Sequence, residues 1–298
     1  MRRLGFLGLG QMGGGMVKSL LRARFPVVAF DPQTQLVQAA VKDGATAGTS
    51  PADVAARSEV VLSSLPDPAA VREAALGPHG IIETIGKDQV YIDLSSIDPA
   101  TTREVGSALA AKGTAMLDVP VGKGPPAAAA GDLTLMIGGD PAVIERCRDI
   151  LAALGSTQFH CGPLGSGVAV KLVNNLVSCS LVALNAEAMA LAAKADVDPQ
   201  VVCEVLQTTA ADNWHLRNTM QALSLDRNFA PRFKLRLAHK DLGLALAMGM
   251  QLGVPLALGQ ASYLLHTVAM GQGLGDEDQG ACLKPVEQVA GVEVRRRV

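Results

Sequence analysis

Short apolar runs separated by alanine-rich stretches fill the first half of the chain. "RLGFLGLG", "VVAFD", "EVVLSSLP", "QVYIDLSS", "TAMLDVPV" and "LTLMIGG" each read as a strand buried on both faces. Between them "MVKSLLRARF", "AAVREAAL" and "TTREVGSALAAKG" place apolar residues at helical spacing, and Pro26 stops the first of these. Strand and helix in alternation predict a parallel, doubly wound sheet covered by helices on both faces. After "GPLGSG" the strand signal fades. "VAVKLVNNLVSCSLVALNAEAMALAAKA" is one long helical run, apolar nearly all the way round, which predicts a buried helix. "PQVVCEVLQTTA", "RFKLRLAHKDLGLALAMGMQLG" and "LGQASYLLHTVAMG" continue the helical half.

Polar residues that interrupt these patterns mark candidate chemistry. Lys171, Asn174, Asn175 and Ser178 stand at i, i+3, i+4 and i+7, so they form one stripe on the long helix. A polar stripe in apolar surroundings is costly unless its groups are satisfied or used. Lys240 and Asp241 lie in a similarly apolar helical pattern. The cluster Asp276, Glu277 and Asp278 reads as a solvated cap, Trp214 and Tyr263 as packing residues, and the "RRRV" end as a mobile tail.

Gly8, Gly10 and Gly13 give GxGxxG at the first strand-to-helix turn. The first glycine permits the tight turn, the second lets backbone approach a pyrophosphate, and the third lets helix and strand pack closely. The helix N-terminus then favours the phosphate charge. Asp31 ends the second strand, 18 residues after Gly13, where a carboxylate accepts hydrogen bonds from ribose hydroxyls. The same charge repels a 2′-phosphate, and "DPQTQ" offers no arginine to compensate. The cofactor expected is therefore NAD.

Composition narrows the remaining classes. The 298 residues suffice for two domains, and a net charge of -2 gives no reason to expect a nucleic-acid or anionic membrane partner. The 5 cysteines are scattered, without a CxxC pair, which suits a reducing cytoplasmic compartment. The start breaks into glycine with no small-residue cleavage site, so a signal peptide is not expected there, and no uninterrupted run of about 18 apolar residues predicts a membrane span. The 5 histidines are isolated, so no metal site is expected, and no serine occupies a GxSxG elbow.

In combination, "GFLGLGQMGGGM", "DLSS", "DVPVGKG…GDLTLMIGG", "GSGVAVKLVNN" and "FKLRLAHKDLGLA" occur in the order and spacing of the β-hydroxyacid dehydrogenases, the family of 3-hydroxyisobutyrate dehydrogenase, which the chain resembles over nearly its whole length. The resemblance implies an NAD-binding α/β Rossmann domain over residues 1–163. An all-α domain for substrate and dimerisation follows over 164–298, in a 6-phosphogluconate dehydrogenase-like arrangement joined by a long interdomain helix. It implies a homodimer or homotetramer. Lys171 takes the position of the proton-transferring lysine and Asn175 that of the substrate-holding asparagine. Ser96 takes the place that approaches cofactor and substrate, and Lys240 that of a lysine beside the cofactor. Gln11, Met12 and Leu65 match cofactor-lining positions. The residue chemistry agrees with this reading. Hydride transfer to an aldehyde develops charge on the carbonyl oxygen, which a nearby ammonium stabilises and protonates.

One loop departs from the family pattern. Where the common loop reads D-A-P-V-S-G-G, this chain reads Asp118-Val-Pro-Val-Gly122-Lys123-Gly124, and the later Gly-Thr is Gly131-Asp132. A serine hydroxyl is gone and a positive charge has arrived. "DVPVG" followed by a basic residue resembles the sulfolactaldehyde reductase branch, which shares the Asn174, Asn175 and Ser178 stripe. A sulfonate presents acceptor oxygens that a lysine meets as a point charge, while a solvated loop charge is the other reading of Lys123. The substrate expected is thus a small anionic semialdehyde or its hydroxy acid, with 3-sulfolactaldehyde and 2,3-dihydroxypropane-1-sulfonate favoured. 3-Hydroxyisobutyrate, tartronate semialdehyde and 4-hydroxybutyrate are the carboxylate alternatives. A non-catalytic NAD-binding scaffold is the alternative of another class, and Lys171 counts against it.

Overall fold

The computed structural model describes residues 2–296. The chain divides into two compact units, Met1–Lys171 and Leu172–Val298, and the division falls within the helix Ser166–Lys194. The first unit carries strands β1 (Leu4–Leu7), β2 (Val27–Phe30), β3 (Thr46–Ala47), β4 (Val60–Ser63), β5 (Val90–Asp93), β6 (Ala115–Asp118), β7 (Val121–Gly122), β8 (Thr134–Gly138) and β9 (Thr157–Gly162). Their order is β3-β2-β1-β4-β5-β6-β8-β7, with β9 paired to β8. The strands β1 to β6 pair in parallel, as the alternation of strand and helix predicts. The far edge is different: β8 runs antiparallel to both β6 and β7. Residues 123–133 between β7 and β8 are too few for the dozen or more that a parallel crossover takes. Strand β9 escapes the apolar-run criterion because Thr157, Gln158, Phe159 and His160 are exposed on an edge.

Side-chain alternation sorts the central strands onto two cores. Leu4, Phe6, Val27, Ala29, Val60, Leu62, Val90 and Ile92 face one apolar cluster with Met16, Val17 and Leu20 of the helix Gln11–Arg22. Leu7, Val28, Val61 and Tyr91 face the other, with Val71, Val105 and Leu109 from helices on that side. Burial on both faces is the reason these strands read as continuous apolar runs. At the carboxyl ends, Ser63 is level with Asp93, and Asp93 with Asp118. The chain reverses its strand order between β1 and β4, and ligands of open α/β sheets lie outside the carboxyl ends at such a point.

The second unit is helical: Pro199–Leu206, Leu235–Leu252, Ala257–Gly271 and Leu283–Ala290 accompany the remainder of the long helix. Val182, Ala186, Met189 and Ala190 of the long helix pack with Cys203, Leu216, Met220, Leu235, Ala269 and Leu283. The long helix is not buried all round. Val173, Val177, Leu184 and Leu191 on another side are 53%, 55%, 58% and 72% exposed. Periodicity alone could not separate an apolar face that packs within the chain from one that does not. By length and composition this helix is apolar enough to cross a membrane, a test that a core helix passes equally. Its buried apolar positions are divided: Val182, Ala186, Met189 and Ala190 belong to the core just described, Val168 to the second core of the sheet and Cys179 to a cluster with Ala238 and Leu242.

Three further expectations need correcting. Trp214 is 63% exposed and packs edge-on against His215 rather than into a core. Asp278 is buried, and its carboxylate accepts from the backbone N–H groups of Arg232, Phe233 and Gly280. Only Asp276 of that acidic cluster behaves as a solvated cap, paired with Lys234 and Arg236. Within the "RRRV" end, the Arg296 guanidinium bonds Asp226, Gln200 and the Gln221 carbonyl, and Val294 just before it is buried. Arg297 and Val298 lie outside the described residues.

Candidate active site

The glycine turn after β1 is built as a cradle. Gly8 has φ +86°, and a Cβ there would fall 2.4 Å from Ser64 O and 2.9 Å from Leu65 Cδ2. A Cβ at Gly13 would fall 1.9 Å from Gly8 O, so the helix meets the strand only with glycine in place. At Gly10 a Cβ would touch no described atom within 4 Å. Packing within the chain therefore does not demand Gly10, whereas close approach of a ligand does. The following helix, Gln11–Arg22, has no side-chain cap and no acidic residue in its first turn, which leaves N–H groups aimed outward. Asp31 Oδ2 accepts from Leu9 N–H at 2.8 Å and Oδ1 from Gln33 N–H at 2.8 Å. Each carboxylate oxygen keeps a lone pair for a ribose hydroxyl. Gln11 is exposed, and Met12 and Leu65 are half-buried beside the turn. These residues fit a dinucleotide with its pyrophosphate on the helix terminus and its adenosine ribose at Asp31.

A buried polar network carries the next loops along this edge. Asp93 Oδ1 accepts from Ser63 Oγ at 2.7 Å and from Ser95 Oγ at 2.6 Å, and Ser95 Oγ in turn accepts from Leu65 N–H. Burial, opposed by these bonds, pushes the Asp93 carboxyl up. The network positions Leu65 and the half-buried Ser96 beside it. Asp118, at the end of β6, is fully buried and accepts from Gly165 N–H at 2.7 Å and Val168 N–H at 2.8 Å. It therefore holds the first turn of the helix Ser166–Lys194, on which Lys171 follows. Neither carboxylate was expected in these roles. A charge at the end of an apolar strand was the available signal, but their partners lie far along the chain.

Lys171 is half-buried. Further along the helix, Asn175 Oδ1 accepts from Asn174 Nδ2 at 2.9 Å, and Asn175 Nδ2 donates to Asp241 Oδ2 at 2.5 Å. Asn175 keeps one amide hydrogen and one lone pair for a ligand. Asp241 Oδ1 lies 3.0 Å from Lys240 Nζ, an ion-pair distance at an angle that makes no hydrogen bond. Asp241 is thus the positioning group of this cluster, a role that its apolar helical surroundings hinted at but did not specify. Ser178 Oγ lies 2.8 Å from His215 Nε2.

The substrate-loop candidates lie at the edge of the sheet. Gly122 pairs with Thr134, Lys123 has φ +70°, and Gly124 precedes the helix Pro125–Ala130. Lys123 Nζ donates to Asp132 Oδ2 at 2.7 Å, and the ammonium holds Asp132 below the usual carboxylate range. Asp132 Oδ1 also accepts from Ser156 Oγ. The two departures from the family loop, Lys123 and Asp132, are therefore one ion pair. Both side chains are partly exposed, at 41% and 55%. Among the described residues no group of His, Cys, Asp and Glu is placed to hold a metal ion.

Comparison with known proteins agrees with this geometry. Residues 3–163 match the profile of the NAD binding domain of 6-phosphogluconate dehydrogenase, and residues 165–286 match that of the NAD-binding region of NADP-dependent 3-hydroxyisobutyrate dehydrogenase. The chain is 37% identical over 295 residues to the 3-sulfolactaldehyde reductase of Escherichia coli, covering 99% of each. It is 38% identical over 278 residues to a 3-hydroxyisobutyrate dehydrogenase of Pseudomonas aeruginosa, covering 90% of this chain and 93% of that one. A crystal structure of 3-hydroxyisobutyrate dehydrogenase from Salmonella typhimurium superimposes with a TM-score of 0.85 at 31% identity, over 96% of this chain and all of that one. With a glycine cradle fitted to a dinucleotide and both halves matched end to end, the chain belongs to the β-hydroxyacid dehydrogenases, as an NAD-dependent oxidoreductase of that family.

Proposed function

We propose that the enzyme interconverts a short anionic semialdehyde and its hydroxy acid, with 3-sulfolactaldehyde and 2,3-dihydroxypropane-1-sulfonate as the favoured pair. The observation that carries this reading is the stripe Lys171, Asn174, Asn175 and Ser178 on one helix, with Asn175 and Ser178 held by Asp241 and His215. Bound NADH supplies the hydride. The Lys171 ammonium donates a hydrogen bond to the aldehyde oxygen, stabilises the charge that develops there and gives up its proton. In the oxidative direction the neutral amine takes that proton back. Asn175 orients the hydroxyl-bearing carbon with its remaining donor and acceptor. Asn174 and Ser178 offer neutral donors to the anionic end, and Lys123 offers a charge. Ser96 and Lys240 are assigned to the cofactor side.

A carboxylate substrate such as 3-hydroxyisobutyrate, tartronate semialdehyde or 4-hydroxybutyrate is the second reading. It is favoured by the Lys123–Asp132 pair, in which the loop's positive charge is already balanced. The reading includes a homodimer or homotetramer, supported by the exposed apolar side of the long helix. The test is a panel of these acids and semialdehydes followed by NADH absorbance, repeated on Lys171→Ala. The wild type should prefer the sulfonate pair. Lys171→Ala should lose ~10²–10⁴-fold in turnover, the usual worth of general acid–base help, while NADH still binds. Near-normal turnover by the variant would remove Lys171 from the role of proton donor.

A further inference from the structure

Ser178 does not stand alone on the polar stripe. His215 Nε2 lies 2.8 Å from its Oγ, and His215 Nδ1 lies 2.9 Å from Thr219 Oγ. His215 and Thr219 are buried and Ser178 is half-buried, so the series runs from the core to the helix surface. The imidazole is held firmly. Asn213 Oδ1 accepts from the backbone N–H groups of His215 and Leu216, and also from Asn185 Nδ2 on the long helix. Trp214 covers the ring edge-on at 5.1 Å. Thr219 lies in a π-helical turn, Leu216–Gln221, a local distortion often found at functional sites.

Burial lowers the His215 pKa to about 4, with Asp278 opposing the shift. Near neutral pH the ring therefore carries one N–H, and the series can point only one of two ways. In one, Ser178 donates to Nε2, Nδ1 donates to Thr219, and Ser178 has no hydrogen left for a ligand. In the other, Thr219 donates to Nδ1, Nε2 donates to Ser178 Oγ, and the serine hydrogen is free to point outward. A sulfonate or carboxylate oxygen only accepts hydrogen bonds, so it is compatible with the second alone.

We propose that His215 is a positioning residue whose Nε2–H tautomer makes Ser178 a hydrogen-bond donor to the anionic group of the substrate. The inference rests on the substrate class argued above and names the device that serves it. A single hydroxyl donating to a charged oxygen changes affinity by ~10-fold at the lower end of the usual range, appropriate to a half-buried site.

The test uses the full-length enzyme, NAD and 2,3-dihydroxypropane-1-sulfonate, with 3-hydroxyisobutyrate as the carboxylate probe. Ser178→Ala should raise KM for the accepted acid ~10-fold, with kcat and KM for NAD changed less than about threefold. His215→Leu should raise the same KM similarly. His215→Gln, whose amide nitrogen can stand where Nε2 does, should restore it. In the Ser178→Ala background, His215→Leu should add nothing. Independently of turnover, nitrogen-15 NMR of the wild type with NADH and the sulfonate should show a protonated Nε2 and a bare Nδ1 for His215, with the signal assigned by its loss in His215→Gln. This arm stands even if the leucine variant fails to fold. A proton on Nδ1 in that complex would overturn the proposal, and so would an undiminished effect of His215→Leu without Ser178. If the wild type oxidises neither probe nor the other acids, the substrate reading falls instead, and this inference falls with it.

Discussion

Asp118 offers the most direct test of how the fold positions Lys171. Its carboxylate accepts two backbone N–H groups from the start of the helix Ser166–Lys194, at 2.7 and 2.8 Å, in a fully buried setting. The surroundings are shaped to it. A Cβ at Gly138 would fall 2.2 Å from Asp118 Oδ1, and one at Gly167 would fall 2.9 Å from Oδ2. Asp118→Asn preserves the shape but leaves one acceptor, and its amide then faces one of the two N–H groups. A lost charge-assisted hydrogen bond costs about 1.5–3 kcal/mol. Burial pushes the Asp118 carboxyl up, against the helix N–H groups, so removing the charge relieves part of that cost. A net loss of about 2 kcal/mol follows. With an unfolding entropy of roughly 2 cal/mol/K per residue, that lowers the melting temperature of a unit the size of Met1–Lys171 by about 5–6 °C. Lys171 lies five residues after Ser166, so loosening the first turn moves the proposed proton donor. A misplacement of about 1 Å can cost ~10²-fold in rate. Calorimetry should show the melting shift, and kinetics well below the transition should show kcat down ~10–100-fold with little change in KM for NADH. A melting temperature within about 1 °C of wild type with kcat within about twofold would refute both steps. Lost stability with unchanged kcat would refute the positioning step alone.

Three further outcomes are expected. NADH should be preferred over NADPH on the order of 10²-fold in kcat/KM, because Asp31 would face the 2′-phosphate across a few ångströms; equal use of NADPH would remove Asp31 from the ribose site. Asp132→Asn should release Lys123 from its ion pair and lower KM for the sulfonate without changing KM for NADH, while Lys123→Ala should raise it; the effect should be a few-fold, since exposed charges are well screened. If neither substitution moves the sulfonate-to-carboxylate ratio, Lys123 is a loop charge and no more. Light scattering should give a dimer or tetramer, and charged residues at Val177 and Leu184 should reduce its size; a monomeric wild type would leave the exposed side of the long helix unexplained.

What could be read from the sequence follows the range of the physics involved. The glycine turn was legible because its requirements are local: a positive φ at Gly8 and a helix in contact with Gly8 O at Gly13 admit no side chain, whatever the rest of the chain does. The central strands were legible because burial on both faces leaves only apolar residues, yet for the same reason the runs could not say which residue faces which core. The hairpin of β7 and β8 was not legible, and with it went the pairing of Lys123 and Asp132. Both residues depart from the family loop in the sequence, and only the fold brings them together. Trp214 and the exposed valines of the long helix show a different limit. An apolar residue announces that something should cover it, but the chain alone does not say whether the cover is its own.

The polar stripe lies between these cases. Its spacing placed Lys171, Asn174, Asn175 and Ser178 on one helix face, and the cost of burying unsatisfied polar groups argued that the face is used. The identity of the satisfying groups lay elsewhere: Asp241 is 66 residues from Asn175 and His215 is 37 from Ser178. Those partners change what the stripe can do. An asparagine with one hydrogen committed to a buried carboxylate presents its remaining hydrogen in a set direction. A serine bonded to a neutral imidazole is a donor or an acceptor according to where one proton sits. The residues proposed to meet a ligand are thus readable from local pattern, whereas the direction of their hydrogen bonds, on which discrimination between an anion and a neutral group depends, comes only with the tertiary structure.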